Sequence, residues 1–310
     1  MSKRIGLVVG RQESFAEELL ERLSQQPGIV AEQALIGATT ERHVSRYDVV
    51  VDRLSHQVPH YRQHLKALAL SGVQVINDPF WWSADDRFFG LALAARLGIP
   101  TLRTAMLPQN AYGPGVDNDR DLGNLECPLS WGAVGHYVKY PAVLRAADWG
   151  ERLHQVVHDL YGLWDAYNAT GQRVSMLQQQ VEAEGWLRCL CVGGEQVQVV
   201  ELGGPGGGPR VHGAHDGGLA ASVREEAAAA TLRLSRALGY DLNAVEWAVA
   251  GGVPWLADAQ EPVPDLGRGA LGEGAFETVL GWVVELVVQR ARSPRRTVDG
   301  YRWAELLGPP

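Results

Sequence analysis

Residues 239–266 read GYDLNAVEWAVAGGVPWLADAQEPVPDL, and how this stretch folds decides the architecture of the C-terminal half. Ala244 to Val249 alternates polar and apolar positions, Gly251-Gly252 permits the positive φ of a tight turn, and Val253 to Ala259 resumes the apolar run, so a β-hairpin is expected. Glu246 lies on the first strand and Asp258 on the second, with Gln260 and Glu261 just beyond. Strand pairing would gather these oxygen-bearing side chains. Magnesium held on a nucleotide needs such a group, because it takes one or two carboxylates together with phosphate oxygens and water. The alternative is a hairpin whose acids face solvent.

The chain has 310 residues, 46% hydrophobic and 21% charged, which suffices for a substantial core and about two domains. Its net charge of -8, with Lys and Arg scattered, argues against general nucleic-acid binding, so any phosphate site must be local. Cys127, Cys189 and Cys191 cannot all pair with one another, and a reducing cytoplasm is expected. Cys189 and Cys191 lack the spacing of a zinc pair and read as core. No apolar run approaches a membrane span, and the N-terminal MSKRIGLVVG enters a strand without a long hydrophobic region or cleavage site.

Taken in order, Arg4 to Gly10 is an apolar strand, and Ser14 with Glu17 is a capping-box signature before a helix carrying Phe15, Leu19, Leu20 and Leu23. A second strand is expected at Tyr47 to Val51, a helix from Pro59 to Ser71, and a strand at 73–76. This alternation argues for an open α/β layer with a largely parallel sheet. His56, His60 and His64 fall at four-residue steps, and a solvated helix face is preferred to a metal face. Residues 108–136, rich in Gly, Pro, Asn and Asp, read as a long connection with little regular structure, a length that suggests function or disorder. Residues 203–218 are glycine-rich, but no Gly-Lys-Ser/Thr follows, so no P-loop is assigned; His212, His215 and Asp216 there read as a surface turn. Leu219 to Leu238 is a helix ending at Gly239, and Phe276 to Arg290 is another.

Several of these phrases, in this order, resemble the ATP-grasp superfamily, in its glutathione synthetase and peptide glutamate ligase branch. "YDVVVDRLSH" and "SGVQVINDPFWWSADDRFFGLALAARLGIPTLRT" are similar to the strand, Asn-x-Pro turn and Asp-Lys helix of its pre-ATP-grasp domain. Arg87 stands at the lysine that touches nucleotide phosphates, and Leu102 replaces a second proline. Tyr140 to Arg145 resembles the strand carrying a second phosphate-contacting lysine, with Arg145 at that position and Lys139 close by; Ala146 to Glu151 follows in place of the family's glycine-rich loop, with one glycine and two acids. Ser175 to Glu182 is similar to the hinge that reads adenine, with Gln179 or Glu182 at the acid position. Trp186 to Gly194 resembles the strand whose arginine, here Arg188, stabilises transferring phosphate. The hairpin matches the metal-binding hairpin: Glu246 and Asp258 are the two acids, and Gln260 or Glu261 stands for the missing Asn.

The resemblance implies an α/β fold, α+β in the C-terminal half: a pre-ATP-grasp domain over 1–98, a central subdomain over 99–174 and a C-terminal subdomain over 175–310. It implies ATP and Mg2+ as cofactors, and a ligase that joins a carboxylate to an amine through an acyl phosphate. Small-molecule or peptide substrates are then the partners, with no nucleic acid and no membrane; a homo-oligomer is compatible with it. Arginine in place of both lysines, the depleted glycine loop and the missing Asn keep a second reading open, a nucleotide-binding or regulatory relative without turnover.

Overall fold

The computed structural model describes residues 2–10, 14–41, 44–84, 86–116, 121–126, 128–147, 153–202 and 218–293. Strands β1 (Lys3–Val8), β2 (Ile29–Gln33), β3 (Val49–Asp52) and β4 (Gln74–Ile76) form a parallel sheet in the order β2-β1-β3-β4. Helices α1 (Ser14–Ser24) and α2 (Pro59–Leu70) are its crossovers. Phe15, Ala16, Leu19 and Leu23 of α1 are buried, as their helical spacing predicts. Val49, Val50 and Val51 are wholly buried because both faces of β3 are covered.

A short helix α3 (Pro79–Ala84) and then α4 (Arg87–Arg96) lead into the central sheet. That sheet is antiparallel, with β5 (Thr104–Leu107), β6 (Ala142–Ala146), β7 (His154–Val157) and β8 (Ser175–Gln179) in the order β5-β8-β6-β7. Helices α5 (Trp131–Val138) and α6 (Leu160–Asn168) cover it, around a core that includes Leu107, Val138, Leu144, Leu163 and Leu177. The expected irregular stretch 108–136 therefore ends inside a helix, because Trp131, Val134 and Val138 recur at helical spacing and pack on this core.

The C-terminal sheet is also antiparallel: β9 (Gly185–Val192), β10 (Gln196–Leu202), β11 (Leu242–Ala250) and β12 (Val253–Asp258), in the order β10-β9-β11-β12. One face packs on α7 (Ala221–Leu238), which ends as predicted with Gly239 left-handed at φ 79°. The other meets α9 (Glu273–Arg292), preceded by the short α8 (Arg268–Leu271). Phe276, Val283 and Val287 of α9 share one core with Ile5 and Val49 of the parallel sheet and with Leu190 and Leu242 of the C-terminal sheet. Each such buried side chain contributes about 1.5–3 kcal/mol. Helix α9 thus sets the parallel sheet against the C-terminal one.

Between α4 and β5, the Leu256 N–H donates to the Pro100 carbonyl at 2.8 Å and the Leu102 N–H donates to the Leu256 carbonyl at 3.0 Å. Residues 100–102 thus lie along the edge of β12. Proline at 102 would lack that donor, which is a physical reason for leucine there.

One of the histidines, His64, departs from expectation. His64 is buried and its Nδ1 lies 2.7 Å from Thr39 Oγ1, while His60 Nε2 lies 3.1 Å from the Gly37 carbonyl. Both tie the chain after β2 to α2, but His60 stays on the exposed face that the sequence predicts and only His64 is buried. Among the described residues, no helix is long and apolar enough to cross a membrane.

Candidate functional site

The hairpin forms as its sequence predicts. Strands β11 and β12 pair antiparallel, and Gly251 and Gly252 turn the chain at φ 62° and 69°, where glycine is favoured. The ladder shifts by one residue between Glu246 and Trp247, leaving Ala257 as an extra residue on β12. This bulge keeps Glu246 opposite Asp258 and aims the Ala257 carbonyl at the central sheet, where it accepts Arg145 Nη1 at 2.8 Å and Gln178 Nε2 at 3.0 Å.

Glu246 is also in register with Arg188 of β9, so Arg188, Glu246 and Asp258 form one row across three neighbouring strands. Arg188 Nη2 donates to Glu246 Oε1 at 2.7 Å. From β6, Arg145 Nη2 donates to Asp258 Oδ2 at 2.8 Å, and its Nη1 also donates to Gln178 Oε1 at 2.8 Å. Arg87 opens α4 and brings its Nε to 3.9 Å from the same Asp258 oxygen. Its place is set by Asp86, which caps the helix by accepting the Phe89 N–H at 2.7 Å. These side chains are only 11–18% exposed, so salt screens their interactions far less than those of surface pairs.

Glu261 joins the cluster electrostatically. Burial first, then the Glu246 and Asp258 charges, push its carboxyl up to about 7 against the pull of Arg188 and Arg87. Burial works against the Arg188 charge, but Glu246, Glu261 and Asp265 outweigh it and hold that guanidinium above its ordinary value.

The two candidates for the missing Asn part company. Gln260 is buried against α4, its Nε2 donating to the Asp86 carbonyl at 3.1 Å and its Oε1 packed on Gly90. A Cβ at Gly90 would lie 2.0 Å from that oxygen, so the approach requires glycine. Glu261 is the one that shares charge with the row. Of the hinge candidates, Gln179 is half-buried at the end of β8 and Glu182 is exposed; among the described residues, neither side chain bonds to the cluster. The residue overlooked is Gln178. Strand alternation carries its side chain to the opposite face from Gln179, where it meets Arg145.

Among the described residues, no three His, Cys, Asp or Glu side chains stand close enough to hold a metal by themselves. Glu246, Asp258 and Glu261 still offer hard oxygen donors, a set that suits a cation completing its shell with phosphate and water. Arg188 Nε is buried with no partner among the described residues, an orphan donor that an anionic oxygen would satisfy. Cys189 is fully buried, which pushes its thiol up to about 12 and leaves it inert. Cys127, residues 148–151 of the shortened loop, and His212, His215 and Asp216 lie outside the described residues.

No family model and no curated protein matches the chain. Solved structures match it over nearly its full length. D-alanine–D-alanine ligase from Bacillus anthracis, complexed with ATP, has a TM-score of 0.64 at 14% identity, covering 94% of this chain and 97% of that one. A RimK domain ATP-grasp protein from Sphaerobacter thermophilus has a TM-score of 0.66 at 19% identity, covering 92% and 99%. VanG D-Ala:D-Ser ligase from Enterococcus faecalis has 0.67 at 9% identity, covering 94% and 100%. The chain has the ATP-grasp fold.

Proposed function

We propose that this chain is an ATP- and magnesium-dependent ligase that joins a small-molecule or peptide carboxylate to an amine through an acyl phosphate. The observation that carries the reading is the row Arg188, Glu246, Asp258, flanked by Arg145 and Arg87, at the junction of the central and C-terminal sheets. Phosphoryl transfer asks for positioned opposite charges more than for covalent chemistry. Arg87, Arg145 and Arg188 supply fixed positive charge from three elements. Glu246, Asp258 and Glu261 supply the oxygens that would hold magnesium, which when bound neutralises phosphate charge. Names of similar folds support the reading, since they include ligases for D-alanine, one of them complexed with ATP.

In this reading a substrate carboxylate oxygen takes the terminal phosphoryl group of ATP and ADP leaves; the amine then displaces phosphate. Arg188 bears on the transferring group, since its Nε has no other partner among the described residues. Arg145 and Arg87 are placed to hold the remaining phosphates, and Asp258, which they flank, would be a ligand of magnesium when it is bound. Residues 1–98, 99–174 and 175–310 would be the corresponding functional units. The test is a thermal-shift titration with ATP, with and without magnesium. Nucleotide at 100 times its Kd stabilises the fold by about 2.7 kcal/mol, so the melting temperature should rise clearly; no shift at millimolar ATP would sink the proposal. Phosphate release screened over amino acids and short peptides then separates a ligase from a relative that only binds.

A further inference from the structure

Gln178 is 3% exposed and sits among three elements. Its Nε2 donates to Thr104 Oγ1 on β5 at 3.1 Å and to the Ala257 carbonyl on β12 at 3.0 Å, while its Oε1 accepts Arg145 Nη1 on β6 at 2.8 Å. The direction of this chain is fixed. The Thr104 hydroxyl donates to the Leu102 carbonyl at 3.0 Å, so toward Gln178 it can only accept. Both partners of the Gln178 nitrogen are then acceptors, and the amide oxygen must face Arg145; a flipped amide would set N–H groups against a guanidinium. Leu102 itself donates its N–H to Leu256 on β12. The chain starts and ends beside the hairpin that carries Asp258.

We propose that Gln178 is a positioning residue for phosphate binding, holding Arg145 at one place and orientation through this one-way hydrogen-bond chain. The inference rests on the nucleotide-binding reading above. Arg145 is a long side chain that would otherwise lose rotamer freedom each time it met phosphate, and a preorganised cation avoids that loss. Gln178 need not touch the nucleotide. Its effect reaches the ligand only through Arg145, so it acts on affinity for phosphates and not for the base or the ribose.

The test compares calorimetric binding of ADP with magnesium and of adenosine to the full chain, for wild type, Gln178→Met, Arg145→Met and the double variant. Met keeps the volume of Gln178 and removes its hydrogen bonds. ADP affinity is expected to fall about tenfold in Gln178→Met, the order of one hydrogen bond to a charged group, while adenosine affinity stays within about twofold. In the Arg145→Met background, Gln178→Met should add no further loss, the coupling expected of residues that act as a unit. Thr104→Val, which removes one of the two acceptors that hold the Gln178 amide, should shift ADP in the same direction by less; it also serves if Gln178→Met does not fold. Equal losses for ADP and adenosine, or losses that add in the double variant, would overturn the inference and leave the nucleotide reading standing. A wild type that binds neither ligand overturns both.

Discussion

Asp258 and Arg145 join the two sheets of the ATP-grasp fold directly: Arg145 Nη2 lies 2.8 Å from Asp258 Oδ2, and Arg145 Nη1 holds the Ala257 carbonyl next to it. The acidic segment beyond β12 is irregular, yet its polar groups are taken by side chains from the parallel and C-terminal sheets. Asn243 Oδ1 accepts the Glu261 N–H at 2.9 Å, Asn77 Nδ2 donates to the Pro262 carbonyl at 2.8 Å, and Arg53 Nη2 donates to the Pro264 carbonyl at 2.8 Å. Buried backbone away from a ladder must find such partners. The site is therefore built where three bodies of the fold are laced to one strand end.

Asn77 is the lace from the parallel sheet, and its removal should be felt as stability. It makes three hydrogen bonds, two with Leu242 and one with Pro262, and is 2% exposed. Asn77→Ala leaves buried groups unpaired on both partners and should destabilise the fold by about 2–4 kcal/mol. Urea denaturation would measure it. A loss under about 1 kcal/mol would show that the segment is held by its other contacts.

Gly90 tests the packing that fixes Arg87. In Gly90→Ala the new Cβ meets Gln260 Oε1 at 2.0 Å and Ala259 Cβ at 2.9 Å, and overpacking of this kind destabilises by about 1–3 kcal/mol. In a Gln260→Ala background, only the Ala259 contact remains and the loss from Gly90→Ala should shrink. Equal losses in both backgrounds, read from chemical denaturation, would count against the close approach.

Glu261 should leave a mark on the pH dependence of stability. Its carboxyl rises from an ordinary 4.5 to about 7 in the folded chain, so the folded state binds the proton more tightly than the unfolded one. Its contribution is then fully present below about pH 4.5 and is lost as pH rises through about 7. Glu261→Gln cannot ionise, so its melting temperature should fall less than that of wild type between those values. Parallel curves for the two proteins would remove Glu261 from the buried cluster.

Much of this site can be found in the sequence because its residues lie on regular strands. The Gly-Gly turn and the apolar runs beside it reveal the hairpin, and an arginine in the apolar run 186–192 marks Arg188. An unbroken ladder from that turn would face Glu246 with Ala257, so the bulge that brings Asp258 opposite is not encoded by the alternation. What escapes is set by tertiary context. Strand β2, IVAEQ, is an edge strand with partly exposed residues, so it lacks the apolar run that betrays β3. Gln178 and Gln179 are the same residue type side by side, and only the pairing of β8 with β6 decides which faces Arg145. The separation of Gln260 from Glu261 depends on α4, whose approach no local pattern encodes.

Asp258→Asn separates a working ligase from a relative that only binds. Arg145 keeps two acceptors in that variant, Gln178 Oε1 and the Ala257 carbonyl, each at 2.8 Å, so the fold and the arginine should stay in place. What disappears is one negative charge among the oxygens proposed for magnesium. Nucleotide affinity measured in chelator should then survive or improve, because the carboxylate that competes with phosphate for Arg145 and Arg87 is gone. Affinity measured with magnesium should gain little over chelator in the variant, against a gain of about tenfold or more in wild type, and turnover should be abolished. If magnesium gives wild type no gain, the metal assignment at Glu246 and Asp258 is wrong and the ligase proposal falls with it. If magnesium helps both proteins equally, the metal is held without Asp258, and Glu246 with Glu261 must carry it.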